Sequence, residues 1–188
     1  MGSIDKRLAV VIELQGQLER SAREVWKKLA EEISVKYVSS SSPAPHIALE
    51  YGFKAQYDRL VKLLDNISTQ FSVFSINGMG LGVYVYDAPN VHIRWRMNNN
   101  LLNLKNTLRT ELSRANEQGV IAEYEEDESW QAKTTLAQKD TSCDNLSQIL
   151  GLARPYDFSQ ETIINGFSLY EYSDEGGERK LDFFQFGS

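Results

Sequence analysis

Apolar positions along the chain alternate between stretches with a two-residue period and stretches with a helical one. Leu8 to Leu14 is almost continuously apolar and β-rich, the pattern of a strand near the middle of a sheet, and Gly16 ends it. From Gln17 to about Ser34, residues Leu18, Ala22, Val25, Trp26, Leu29, Ala30 and Ile33 recur at helical spacing and predict an amphipathic helix. Val35 to Val38 reads as a short strand, and Ser39 to Pro45 as a mobile, surface-exposed Ser/Pro loop. His46 to Leu49 alternates as a strand, with Gly52 at its end. Lys54 to Ile67 is helical, with Tyr57, Leu60, Val61 and Leu64 on one face.

Phe71 to Ile76 predicts a further strand, turning at Asn77-Gly-Met-Gly80. Val83–Tyr86 and Val91–Met97 form a hairpin across Asp87-Ala-Pro-Asn90. Asn98 to Asn116 is a second long helix carrying Leu101, Leu102, Leu104, Leu108 and Leu112, with Gly119 after it. A strand at Lys133–Ala137, a helix over about Cys143–Leu152 and a closing hairpin of Thr162–Tyr172 with Arg179–Phe186 around a Gly176-Gly177 turn complete the pattern. No stretch reads as a linker, so residues 1–188 form one α+β domain with helices covering one side of its sheets.

Composition narrows the class of function. The net charge of −6 argues against general nucleic-acid coating but leaves room for a local basic groove. Much of the acid lies in Glu123–Glu128 and Asp174–Glu178, which read as solvated loops. One cysteine, Cys143, excludes an intramolecular disulfide and a cysteine-based zinc site, and two histidines do not make a histidine-rich metal centre. No apolar run spans a bilayer, and the first residues lack a secretory leader. Lys6 breaks a myristoylation pattern. A cytoplasmic protein without membrane, metal or cofactor is expected. Walker, His-Glu-x-x-His and Gly-x-Ser-x-Gly motifs are absent from the sequence.

Two short strands carry the candidate chemistry. His46-Ile-Ala-Leu49 puts His46 and Ala48 on one face, and Lys133-Thr-Thr-Leu136 puts Lys133 and Thr135 on one face. Together with Trp130-Gln-Ala132 before the second strand and Ala137-Gln138 after it, they resemble the paired His-x-Ser/Thr motifs of the two-histidine phosphoesterase superfamily, which includes 2′-5′ RNA ligases and cyclic nucleotide phosphodiesterases. The resemblance covers essentially the whole chain. It implies a bilobal fold with two antiparallel sheets facing a central groove and helices packed outside. It also implies metal-independent acid–base chemistry on a phosphodiester, such as a 2′,3′-cyclic phosphate, with the hydroxyls stabilising phosphoryl charge.

The sequence departs from that motif twice: Lys133 stands in the second histidine position and Ala48 in the first hydroxyl position. An ammonium with an ordinary pKa of about 10.4 holds a phosphate but is a poor base. His46, Lys133 and Thr135 are therefore both the catalytic candidates and the phosphate anchors. His92, Arg94 and Arg96 share a strand face and would form a basic stripe if that face met the groove, or an aggregation-resistant outer face if it did not. Tyr51 is a candidate pocket wall, and Tyr84, with Tyr86 on the same face, a candidate base-stacking residue. Three readings follow: a phosphate-binding protein for a nucleotide or RNA end with impaired turnover, an active cyclic phosphodiesterase using His46 with Lys133, and a non-catalytic interaction scaffold.

Overall fold

The computed structural model describes residues 7–126, 129–173 and 177–187. Among the described residues nine strands build two antiparallel sheets. The first sheet has the order β5-β2-β1-β8-β9, with β1 Arg7–Glu13, β2 His46–Ala55, β5 Ile121–Ala122, β8 Gly166–Tyr172 and β9 Glu178–Gln185. The second has the order β6-β4-β3-β7, with β3 Phe74–Tyr84, β4 Asn90–Trp95, β6 Lys133–Ala137 and β7 Glu161–Ile164. The helices that flank them among the described residues are α1 Gly16–Ile33, α2 Tyr37–Ser41, α3 Tyr57–Ser68, α4 Asn99–Glu117 and α5 Leu146–Ala153. α4 packs on β2 and β5 and α3 reaches β9, while α1 lies against β6, α2 and α5.

The apolar run of β1 is explained by its place at the centre of the first sheet. Leu8, Val10 and Ile12 point into the main core under the helices, and Ala9 and Val11 form a second small cluster with Tyr170 on the opposite face. Both faces of β1 are thus covered, which removes the polar alternation of a half-exposed strand. α4 starts where the sequence places it, because the Asn98 side chain accepts from the Leu101 N–H at 2.9 Å.

Several boundaries differ from the sequence pattern, each for a tertiary reason. Val35–Val38 is no strand. Asp140 accepts from the N–H groups of Lys36 and Tyr37 at 2.6 and 2.7 Å, which gives those donors a partner and starts α2. Ser39–Ser41 belong to that helix, and Ser42 is tied into the site, so the expected Ser/Pro loop is largely ordered structure. β2 continues through Gly52 to pair Lys54 and Ala55 with β5, and α3 begins only at Tyr57. Tyr57 itself is exposed and donates to Asp182 rather than packing in the core.

The expected turn at residues 77–80 lies inside β3, which carries an irregularity between Gly78 and Leu81. A Cβ on Gly78 would collide with the Phe158 carbonyl oxygen, so glycine is required by the close approach of that segment. The strand starts at Phe74, with Phe71 packed instead on Phe186. α5 starts at Leu146, three residues later than expected. The closing stretch 162–172 is not one strand: it breaks at Asn165, so β7 joins the second sheet and β8 the first. The Gly176 turn position, and parts of both acidic runs (127–128 and 174–176), lie outside the described residues.

Candidate functional site

Between the sheets lies a groove of about 930 Å³. Its walls include His46, Ala48 and Tyr51 of β2 and Lys133 and Thr135 of β6, together with Tyr84 at the end of β3. Ala9, Val11 and Tyr170 form part of its floor. Tyr51 reaches the groove through a bulge in β2. Ala48 pairs with Val11 and Glu50 with Val10, so Leu49 and Glu50 both turn to the buried side, and Tyr51 returns to the groove opposite Ala9. Simple alternation from His46 would have buried it.

The His46 ring is held from one edge. Its Nδ1 lies 3.0 Å from the Ala44 carbonyl oxygen, which only accepts, so Nδ1 carries a proton. Ser42 Oγ is 3.3 Å from the same nitrogen and donates to Glu178 Oε2 at 2.5 Å. Glu178 Oε2 is itself 3.8 Å from Nδ1. Tyr170 meets the ring edge-on at 5.5 Å. Among the described residues Nε2 has no hydrogen-bond partner, which leaves it as the nitrogen that can receive or deliver a proton. Sequence reasoning missed Glu178, because it closes an acidic run that resembles a solvated loop. The β8–β9 pairing, Tyr172 to Glu178, brings it to the histidine.

On the facing wall, Lys133 Nζ lies 5.1 Å from the Tyr84 ring centroid, and the Tyr84 hydroxyl donates to Gln131 Oε1 at 2.7 Å. Tyr84 also meets Tyr86 at 6.1 Å. Tyr86 is 65% exposed and Tyr51 53%, so both rings are accessible to a ligand. Trp130 closes the wall by donating from Nε1 to the Ala48 carbonyl at 2.8 Å.

The basic stripe of β4 is divided. His92 pairs with Thr135 and Arg94 with Lys133 across the β4–β6 ladder. The His92 ring, however, is buried, with the Tyr84 ring 4.5 Å away and its Nδ1 2.9 Å from Asn90 Oδ1. A Cβ on Gly82 would come within 2.5 Å of His92 Nε2 and 2.7 Å of the Arg94 stem, so both side chains lie down over that glycine. Arg94 and Arg96 are exposed, and neither they nor His92 are part of the groove wall. Among the described residues no three His, Cys, Asp or Glu side chains converge to hold a metal ion, and no helix is long and apolar enough to cross a membrane.

Burial pushes His92 down to about 4, with the nearby charges of Lys133 and Arg94 acting the same way. The unfolded chain, with an ordinary histidine near 6.5, then takes up the proton first. Stability is full above pH 6.5 and falls as the pH drops toward 4. The loss reaches up to about 3 kcal/mol at 1.36 kcal/mol per pH unit. Urea midpoints of wild type and His92→Gln, measured between pH 7.5 and 4, are expected to diverge over that window. Parallel curves would refute this account.

The fold is that of the two-histidine phosphoesterases. Solved structures that share it include LigT of Escherichia coli bound to 3′-AMP (TM-score 0.65, 14% identity, covering 97% of this chain and 99% of that one). TT0787 of Thermus thermophilus superposes with a TM-score of 0.68 at 18% identity, over 97% of this chain and 99% of that chain. LigT bound to ATP gives a TM-score of 0.59 at 14% identity, over 99% of this chain and all of that one. No protein-family model and no curated protein matches the sequence.

Proposed function

We propose that this protein binds a nucleotide or RNA end through its phosphate in the central groove, with ordinary two-histidine turnover impaired. The observation that carries the reading is that His46 and Ala48 on one sheet and Lys133 and Thr135 on the other line a single groove. The Lys133 ammonium and the Thr135 hydroxyl supply donors for phosphoryl oxygens, the cation contributing the stronger, charge-assisted contact, and His46 Nε2 adds a third donor when the ring is in its imidazolium form. Tyr51, Tyr84 and Tyr86 offer faces on which a base stacks. Arg94 and Arg96, outside the wall, would reach only a chain that extends beyond the groove. The LigT structures bound to 3′-AMP, phosphate and ATP support a nucleotide phosphate as the class of ligand.

The impaired turnover follows from the two departures. Ala48 offers no hydroxyl, and loss of one donor to a developing oxyanion costs about 10²–10³ in rate. An ammonium group in place of the second imidazole is a poor general base. A second reading, an active cyclic phosphodiesterase, is favoured by the fixed Nδ1–H tautomer of His46, which presents Nε2 as a ready base.

A panel of 2′,3′-cyclic nucleotides followed by ³¹P NMR separates the two. The binding reading expects no turnover above a His46→Ala control, together with a melting temperature raised by added nucleotide. Turnover that vanishes in His46→Ala would replace it with the enzyme. Neither turnover nor stabilisation by any nucleotide would leave the scaffold.

A further inference from the structure

The two walls of the groove belong to different sheets, so a ligand held from both sides depends on what fixes one sheet against the other. His46 stands on β2 of the first sheet and Lys133 on β6 of the second. β6 is locked into its own sheet. Arg94 pairs with Lys133 and His92 with Thr135, and the Trp95 indole donates to Thr134 Oγ1 at 3.1 Å. None of these contacts reaches β2.

Trp130 makes the crossing. It lies shortly before Lys133 in the chain, and its Nε1–H donates to the carbonyl oxygen of Ala48, next but one to His46, at 2.8 Å. The ring is held a second time from the same strand. Lys105 Nζ lies 5.4 Å from its centroid, and that ammonium is paired with Glu50 of β2. The indole is half-buried and packs on the main core. A rigid bicyclic side chain with few rotatable bonds, anchored twice on one strand, passes a fixed length from sheet to sheet. The range of N–H···O distances, about 2.7–3.2 Å, leaves roughly half an ångström of play.

We propose that Trp130 is a positioning residue: by tying the Ala48 carbonyl to the segment that leads into β6, it sets the span between His46 and Lys133 at which one phosphate engages both. The inference rests on the phosphate reading of the groove and adds what holds its two halves at the working distance. A contact from the second wall strengthens binding only when the span permits both to form at once.

Titration of 3′-AMP, followed by ³¹P NMR, into the wild type, Trp130→Phe, Lys133→Ala and the double variant tests it. Trp130→Phe keeps an aromatic ring and removes the N–H, and is expected to weaken binding about fivefold to tenfold in the wild-type background. In the Lys133→Ala background one wall no longer holds the phosphate, and the same change is expected to cost less than about twofold. Lost stability, or a lost stacking contact with the ligand, costs the same in both backgrounds. Equal losses would therefore overturn the inference, as would no loss in either. β-(3-Benzothienyl)alanine at position 130, with sulfur in place of the N–H in a ring of the same shape, gives the same comparison if Trp130→Phe does not fold. Failure of 3′-AMP to bind the wild type would overturn the phosphate reading as well, whereas equal losses leave that reading standing.

Discussion

Lys105→Met is expected to destabilise the folded protein by about 3–5 kcal/mol, the cost of leaving a buried charge without its partner. Lys105 Nζ lies 2.5 Å from Glu50 Oε1, and the two side chains are only 5% and 3% exposed. The β2 bulge is what turns Glu50 inward, toward α4. Burial lifts the Glu50 carboxyl above its ordinary range even against the contact with Lys105, so the charged form depends on that lysine. Tyr124, beside Glu50, is likewise pushed up, by burial first and the Glu50 charge second.

For a domain of this size each kcal/mol moves the melting temperature by about 2–4 °C, which gives a drop of roughly 6–20 °C. Glu50→Leu with Lys105→Met, removing both charges, is expected to recover most of the loss. Urea unfolding of the wild type, both single variants and the double variant at pH 7 yields the coupling energy directly. A double variant as unstable as the sum of the singles would show that the pair is not the reason. The pair also bears on the groove, since Lys105 Nζ lies 5.4 Å from the Trp130 ring that closes it.

Lys133→Ala is expected to weaken nucleotide binding by about 10–100-fold, since hydrogen bonds to a charged group contribute about 1.5–3 kcal/mol. The same substitution removes the cation from the Tyr84 face but leaves the β6 backbone pairing with β4 in place. Its affinity should also lose part of its salt dependence, as expected when one phosphate contact disappears. Calorimetric titration with 3′-AMP at two salt concentrations reads both effects. An unchanged dissociation constant would remove Lys133 from the site. The complementary change, Lys133→His with Ala48→Thr, supplies a second imidazole and a hydroxyl to the groove. It is expected to raise hydrolysis of a 2′,3′-cyclic nucleotide by at least about 10², the effect of one oxyanion donor or one general acid–base group.

The arrangement of the groove was only partly legible in the chain. His46, Lys133 and Thr135 stand out because each is the polar member of an alternating strand, and alternation fixes which neighbours share a face. Tyr51 lines the groove only because β2 slips by one residue at Leu49–Glu50, and nothing local marks that bulge. His92 carries the same sequence signal as His46, a polar residue on an alternating strand. Its burial beneath Tyr84 depends on Gly82 across the ladder, where the missing side chain makes room for the ring.

The sequence by itself determined the α+β class, the central position of β1, the long helices α1, α3 and α4 to within a few residues, and the two strands bearing the candidate phosphate anchors. These are properties of periodicity, which acts over neighbouring residues and needs no partner. The tertiary structure alone decided the division of residues 161–172 between two sheets, the start of α2 under the Asp140 carboxylate, and the union of Ser42, His46 and Glu178. Each joins groups about a hundred or more residues apart or depends on which sheet edge is open. Such a choice is fixed by global packing and hydrogen-bond satisfaction, to which a local pattern is blind.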